Sequence, residues 1–214
     1  MHPEFFNISD ILSTEYLGQE KGINQQKPAI SINVITYNHK DFISQCLDSL
    51  LNQNTRFHYE ILIGEDNSTD GTREICKKYA EENPDKIRLF LRRPEDKIEV
   101  QGKKTWHYNY VANIVMARGK YIALCDGDDF WTDQNKLQKQ YDLMESDDQI
   151  MLSHHAYSRL YPDGSIKKNP VPVEKYSSTE DIIRSFKMRT CTTMYRNIFE
   201  DHPLPGWFYD SLLG

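Results

Sequence analysis

The sequence predicts an α/β fold in which a mostly parallel central sheet is flanked by helices. Two observations carry that expectation. Strand-like alternation and helix-like periodicity take turns from residue 29 to residue 145, the pattern of a sheet whose strands are joined by crossover helices. Tyr121-Ile-Ala-Leu-Cys125 is apolar at every position, as a strand covered on both faces must be.

The elements follow in order. Residues 1–28 are polar and weakly periodic and read as an N-terminal extension, with a short helix over Ser9–Glu20 and a linker ending at Pro28. Residues 29–214 read as the folded domain. Ile30–Ile35 alternates and is β-branched, hence a strand. Phe42, Ile43, Cys46, Leu47, Leu50 and Leu51 recur at helical spacing. Tyr59–Ile63 is a second strand, Thr72–Glu82 a second helix, and Ile87–Leu91 a third strand. A charged loop, Arg92–Thr105, leads to a helix through Tyr110, Val111, Ile114 and Val115, which Arg118 and Gly119 are expected to terminate. After the Tyr121–Cys125 strand come a helix over Gln134–Glu145 and an extended segment over Ile150–Leu160. A turn at Pro162-Asp-Gly164, a returning segment, a helix near Thr179–Phe186 and a strand near Thr190–Tyr195 complete the order.

Composition narrows the function. The chain has 214 residues, enough for one packed domain, and 26 basic against 32 acidic residues leave a net charge of −6. That acidity argues against nucleic acid as a partner, since neutralising phosphates needs a basic surface. No apolar run approaches a transmembrane length, and the N-terminus lacks the cationic start and long apolar stretch of a signal peptide. Cys46, Cys76, Cys125 and Cys191 are scattered without a C-x-x-C pair, which speaks against a zinc site and for free thiols in a reducing compartment, the cytoplasm.

In open α/β sheets ligands sit beyond the carboxyl ends of the strands. Those ends are Thr36-Tyr-Asn38, Gly64-Glu-Asp-Asn67, Arg92-Arg93 and Asp126-Gly-Asp-Asp129. Asp126, Asp128 and Asp129 crowd three carboxylates into four residues, which raises their proton affinity unless a cation intervenes. Hard oxygen donors at a tight turn suit Mg²⁺ or Mn²⁺ completed by substrate phosphates, and Gly127 lets the backbone approach a ligand. Asp129 serves equally well as a turn and cap residue. Asp66 is placed to accept an N–H from a base edge.

Several alternatives fail on spacing. Asp66-Asn-Ser-Thr-Asp-Gly71 imitates a calcium loop, but Lys77 stands where an EF-hand needs glutamate. Gly102-Lys-Lys-Thr105 imitates a P-loop tail, but Lys97 replaces the required first glycine. Neither G-x-G-x-x-G nor G-x-S-x-G occurs. His154 and His155 are adjacent on an extended segment, so at most one faces a site.

Four runs, in register, resemble glycosyltransferase family 2: Ile32-Asn-Val-Ile-Thr-Tyr-Asn38, Glu65-Asp-Asn-Ser-Thr-Asp-Gly-Thr72, Ala117-Arg-Gly-Lys-Tyr-Ile-Ala123, and Asp126-Gly-Asp-Asp-Phe-Trp131 with Lys136-Leu-Gln-Lys139. The resemblance implies the GT-A fold and an inverting transfer of sugar from a nucleotide-diphosphate donor, a UDP-sugar, to a carbohydrate or lipid-linked acceptor in cell-surface polysaccharide or glycolipid synthesis. It also implies peripheral association with a membrane. By the same resemblance Thr36, Tyr37 and Asn38 line the nucleotide pocket, with Tyr37 against the base and Asp66 reading its N–H. Asp126, Gly127 and Asp128 form the D-x-D motif, with Asp126 near the ribose and both carboxylates serving Mn²⁺ or Mg²⁺; Lys103, Lys104 and Asn109 add nucleotide contacts. The family's general base follows these elements. Here Asp210 is the one carboxylate in the final stretch 206–214, and the favoured reading is a domain truncated at its C-terminus whose base lies just beyond Gly214, with Asp210 as the alternative. A nucleotidyltransferase and a non-catalytic nucleotide-sugar binding module remain as competing readings of the same carboxylates.

Overall fold

The computed structural model describes residues 8–18, 26–97, 99–100, 103–169 and 189–199. Its strands are β1 (Glu15–Tyr16), β2 (Ile30–Thr36), β3 (Tyr59–Glu65), β4 (Ile87–Leu91), β5 (Glu99–Val100), β6 (Lys103–Lys104), β7 (Tyr121–Leu124), β8 (Leu152–Ser153), β9 (Tyr157–Leu160), β10 (Ile166–Asn169) and β11 (Met194–Arg196). The helices are α1 (Ile8–Leu12), α2 (Ile43–Leu51), α3 (Thr72–Glu82), α4 (His107–Met116) and α5 (Lys136–Glu145). The central sheet runs β1-β4-β3-β2-β7-β11-β8. β4, β3, β2 and β7 are parallel, while β1, β11 and β8 pair antiparallel at the two sides.

Strand parity assigns each residue a face. Ile30, Ile32 and Val34 of β2, Ile61 and Ile63 of β3, Ile87 and Leu89 of β4, and Tyr121, Ala123 and Cys125 form one apolar core with α2, α3 and α5. The alternate residues, Leu62, Phe90, Ile122 and Leu124, pack beneath α1 and α4. This second face also carries polar residues: Ser31, Asn33, Glu60, Arg88 and Arg92 are all buried. At the amino ends of the strands, Glu60 accepts from Ser31 Oγ (2.7 Å), from Arg118 N (3.0 Å) and from Arg118 Nη2 (2.6 Å). Arg88 holds Glu15 with two bonds of 2.8 and 3.0 Å.

Three expectations need correction. The helix expected over Ser9–Glu20 is shorter, and the chain then adds β1 to the sheet edge, because Thr14 O accepts Leu91 N–H (2.8 Å) and Arg88 captures Glu15. Gly119 is not a left-handed helix cap and Arg118 lies past the helix; Gly119 is required because a Cβ there would stand 2.5 Å from Ser31 N and 2.7 Å from Ile30 C. The strand expected from Thr190 starts only at Met194, preceded by a 3-10 turn over Thr190–Thr192. Thr192 and Thr193 hydroxyls donate to Arg189 O (2.8 and 3.0 Å), a local alternative to sheet pairing. The helix expected near Thr179–Phe186 lies outside the described residues.

All four cysteines carry free thiols; Cys46, Cys76 and Cys125 are buried and Cys191 half-buried. No helix among the described residues is long and apolar enough to cross a membrane.

Lys136 is the anomaly of the core. Its ammonium is buried without a hydrogen-bond partner and lies 3.5 Å from the centroid of the Trp131 ring. Burial pulls its pKa down to about 7, an effect that Cys125 and Cys191 only partly oppose. Below that pH both folded and unfolded chains hold the proton, whereas from about 7 to about 10.5 the unfolded chain holds more of it, so stability rises with pH across that window. Lys136→Met is expected to remove this rise and to add on the order of 3 kcal/mol at neutral pH. Urea denaturation of both proteins between pH 6 and 10 measures it; a wild-type curve parallel to that of the variant would refute it.

Candidate functional site

The carboxyl ends of β2, β3 and β7 open into a cleft of about 900 Å³. Thr36, Tyr37, Asp66, Asn109, Asp126 and Asp128, all singled out from sequence, line it together. Its other lining residues include Thr190 and Tyr195, from the segment expected on the sugar side, and His39, Lys97, Trp106, Tyr110 and Arg189, which sequence reasoning does not connect.

At one end Tyr37 is half-exposed, its ring covered by the Lys97 ammonium 4.1 Å from the centroid. Lys97 also pairs with Asp66 Oδ2 at 3.1 Å. Burial pushes the Asp66 carboxyl above the usual carboxylate range, with the Lys97 bond opposing that rise. A flat ring, an acceptor and a donor therefore meet at one point.

Asn38 does not reach the cleft. Its residue adopts a left-handed conformation (φ 54°), and its Oδ1 accepts Thr69 N–H (2.9 Å) while its own N–H donates to Ser68 Oγ (2.9 Å). His39 N donates to Thr72 Oγ1 (2.9 Å) and Lys40 N to Asp70 Oδ2 (3.0 Å), so the loops after β2 and β3 are laced together. Asp70 also accepts the N–H and hydroxyl of Thr72, and these bonds hold its carboxyl down at about 2. The imitation calcium loop is thus a turn and helix cap.

Asn109 lines the cleft, but its amide is committed at both ends. Nδ2 donates to Gly64 O (2.8 Å) and Oδ1 accepts Arg92 Nε (3.0 Å). Arg92, at a strand end expected to face ligand, is instead fully buried, and Arg93 turns away to Asp96. Lys103 and Lys104 form β6, paired with β5; the placement of their side chains lies outside the described residues, as does Asp210. His154 and His155 follow β8 and do not line the cleft.

The other end is the Asp126 turn. Asp126 Oδ2 accepts the Thr190 hydroxyl at 2.7 Å. Burial raises its pKa, with the charges of Asp129 and Asp128 adding to the rise and the Thr190 bond opposing it. Asp128 is exposed into the cleft mouth. Asp129 turns aside to the Cys191 thiol and does not line the cleft. Among the described residues no three His, Cys, Asp or Glu side chains form a ready-made metal cage. The Asp126–Asp128 pair nevertheless fits a hard divalent cation completed by phosphate and water, because a cation relieves the mutual repulsion of the carboxylates.

Gly127 backs the cleft without lining it. Its N–H donates to Ile35 O (2.9 Å), and a Cβ would stand 2.6 Å from Thr36 Oγ1, 2.7 Å from Thr36 Cβ and 2.9 Å from His39 Nδ1. Gly127→Ala is expected to cost about 1–3 kcal/mol through overpacking. In a double-mutant cycle with Thr36→Gly, followed by chemical denaturation, part of that loss should return. Strict additivity would refute the contact.

Known proteins resemble this chain in sequence and fold. Uncharacterized protein Rv1520 of Mycobacterium tuberculosis is 31% identical over 169 residues, covering 78% of this chain and 46% of its own length. The putative teichuronic acid biosynthesis glycosyltransferase TuaG of Bacillus subtilis is 31% identical over 150 residues, covering 70% of this chain and 52% of its own. The chain thus spans about half the length of the curated relatives it matches. The crystal structure of S. aureus TarS 1-349 in complex with UDP superposes with a TM-score of 0.51 at 20% identity, covering 78% of this chain and 46% of that one, a likeness of fold. The model of glycosyl transferase family 2 matches residues 31–202, a span that holds β2, the laced loops, α4 and the Asp126 turn. That match covers most of the chain, so the chain, whose mostly parallel sheet flanked by helices has the GT-A fold, belongs to glycosyl transferase family 2.

Proposed function

We propose that this chain is the donor-binding part of a metal-dependent, inverting glycosyltransferase of the hexosyl or N-acetylhexosaminyl type that uses a UDP-sugar. One observation carries the reading: a single cleft joins the Tyr37–Asp66–Lys97 cluster to the Asp126–Asp128 pair. Tyr37 offers a stacking face to a base, Asp66 accepts the N–H of its edge and Lys97 donates to the adjacent carbonyl, the pattern uracil presents. The UDP held by TarS supports this choice of nucleotide.

Asp126 and Asp128 would hold Mg²⁺ or Mn²⁺, which when bound would supply charge that stabilises the diphosphate of the departing UDP. Thr190 fixes the rotamer of Asp126 through its hydroxyl. Lys103 and Lys104 add nucleotide contacts. The general base that deprotonates the acceptor hydroxyl is Asp210 or a carboxylate following Gly214. The acceptor is a carbohydrate or a lipid-linked saccharide of cell-surface polysaccharide or glycolipid synthesis, met at the cytoplasmic face of a membrane. Residues 1–28 act as an extension to a donor domain over residues 29–214.

Isothermal titration with UDP, GDP and dTDP in the presence of Mn²⁺ tests the reading. UDP should bind most tightly. Asp66→Ala should weaken it about 10- to 100-fold, the loss of a hydrogen bond to a charged group. Asp128→Ala should remove the Mn²⁺-dependent gain while leaving metal-free binding intact. Absence of binding to any nucleoside diphosphate with Mn²⁺ would overturn it.

A further inference from the structure

Trp106 immediately precedes α4 in the cleft wall and leaves 53% of its surface exposed. An indole so exposed forfeits much of the stabilisation that burial would give it. It is nevertheless held in place. Its ring meets Tyr110 edge-on, with centroids 5.7 Å apart at 86°, and lies against His107 at 4.5 Å and 45°. His107 Nδ1 is in turn 2.9 Å from Thr105 Oγ1. Behind it, the Tyr110 hydroxyl is hydrogen-bonded to Tyr195, and the Tyr110 carbonyl accepts Asn33 Nδ2 at 3.3 Å. The result is a flat apolar surface on a fixed aromatic base, open to the cleft that holds Asp126 and Asp128.

We propose that Trp106 is the platform on which the pyranose ring of the donor stacks, its C–H face against the indole. This rests on the reading of the cleft as a nucleotide-sugar site. A pyranose carries hydroxyls around its rim and an apolar patch of C–H bonds on its face. The exposed indole plane, lining the same cleft as the Asp126 and Asp128 carboxylates and the Thr190 hydroxyl, matches both parts. A platform for the sugar contributes to the affinity of a sugar nucleotide and leaves that of the nucleotide alone unchanged.

The test compares Trp106→Ala and Trp106→Phe with the wild type. Isothermal titration with Mn²⁺ measures the affinity of UDP and of UDP-glucose, UDP-galactose and their N-acetylamino counterparts. The wild type should bind one of these sugars more tightly than UDP. Trp106→Ala should lose about five- to tenfold for that sugar nucleotide. It should bind UDP as the wild type does, which also shows that it folds. Trp106→Phe should recover most of the loss. An unchanged ratio of UDP to UDP-sugar affinity in Trp106→Ala overturns the platform while leaving the donor reading standing. A loss of equal size for UDP also overturns it, assigning the indole to the base or ribose. A wild type that binds no nucleotide removes the donor reading first and the platform with it.

Discussion

A guanidinium sealed between helix and sheet is the constraint on which the cleft depends. Arg92 has no exposed surface and donates to Asn109 Oδ1 (3.0 Å), Thr14 Oγ1 (2.9 Å) and Asn113 Oδ1 (2.6 Å). Its direct partners are therefore neutral. Burial lowers its pKa to about 10, which still leaves it charged at neutral pH. Such a charge is tolerated only if its donors are satisfied, so each amide around it is fixed in turn. Asn113 Nδ2 bonds Asn33 Oδ1 (2.9 Å) and the carbonyls of Val34 and Leu62 (both 3.2 Å), while Asn109 bonds Gly64 O. These bonds clamp α4 onto the carboxyl halves of β2 and β3. Gly64 follows from the same constraint, because a Cβ would collide with the Asn109 amide. Losing either asparagine would leave a buried guanidinium N–H without an acceptor, a change costlier than the bond itself.

The clamp decides where the walls of the cleft stand. Arg92 N–H donates to Glu65 O (2.9 Å), and Arg73 joins Glu65 to Arg92 O, which fixes the ends of β3 and β4 that present Asp66 and Lys97. α4 in turn carries Tyr110 and, just before it, Trp106. On the opposite sheet face α5 performs a similar service. Gln140 Nε2 donates to Thr192 O (3.1 Å), and Trp131 Nε1 donates to Cys191 O (2.8 Å). The 3-10 turn is thereby gripped from below, and its Thr190 reaches Asp126. The buried Lys136 lies against that same Trp131 ring, so an unfavourable charge is lodged beside the support of the carboxylate turn.

How much of this was legible depends on the range of the signal. Period-two and period-3.6 patterns are local, and they located β2, β3, β4, β7 and the helices between them. Position at a strand's carboxyl end is also nearly local, and it brought Thr36, Tyr37, Asp66, Asp126 and Asp128 to one cleft. It misplaced Asn38, whose left-handed backbone turns the side chain into loop lacing, and Arg92, where strand parity points the guanidinium under α4. Lys97 stands in the sequence only where a P-loop needs glycine; its place in the cleft rests on an ion pair spanning two loops. Trp106 falls between the charged loop and the helix that holds Tyr110, and nothing in the spacing of the two reports an exposed ring. Gly119 has the sequence position of a helix cap, yet what demands it is the backbone of β2, remote in the chain. The two-residue β1 is too short for any period, and long-range contacts define it: the edge of β4, Arg88 on Glu15 and Glu81 on Tyr16.

The two ends of the cleft are built from one residue. Thr36 O accepts the N–H of Asp66 at 2.9 Å, which sets the direction in which that carboxylate faces Tyr37 and Lys97. The same residue's hydroxyl lies 3.3 Å from His39 Nδ1 and against the site where Gly127 can have no side chain. Asp66 and Asp126 come from strands on opposite sides of β2, so their spacing is set by strand separation and by this shared contact. A helix or loop could flex at either end, but a sheet strand with bonds on both sides cannot move one neighbour's end independently of the other. The span from the Asp66 carboxylate to the Asp126 turn is therefore a fixed length in the fold. That is what a ligand with a rigid base at one end and a charged group at the other would require, and it explains why the local chemistry at Thr36 is so crowded.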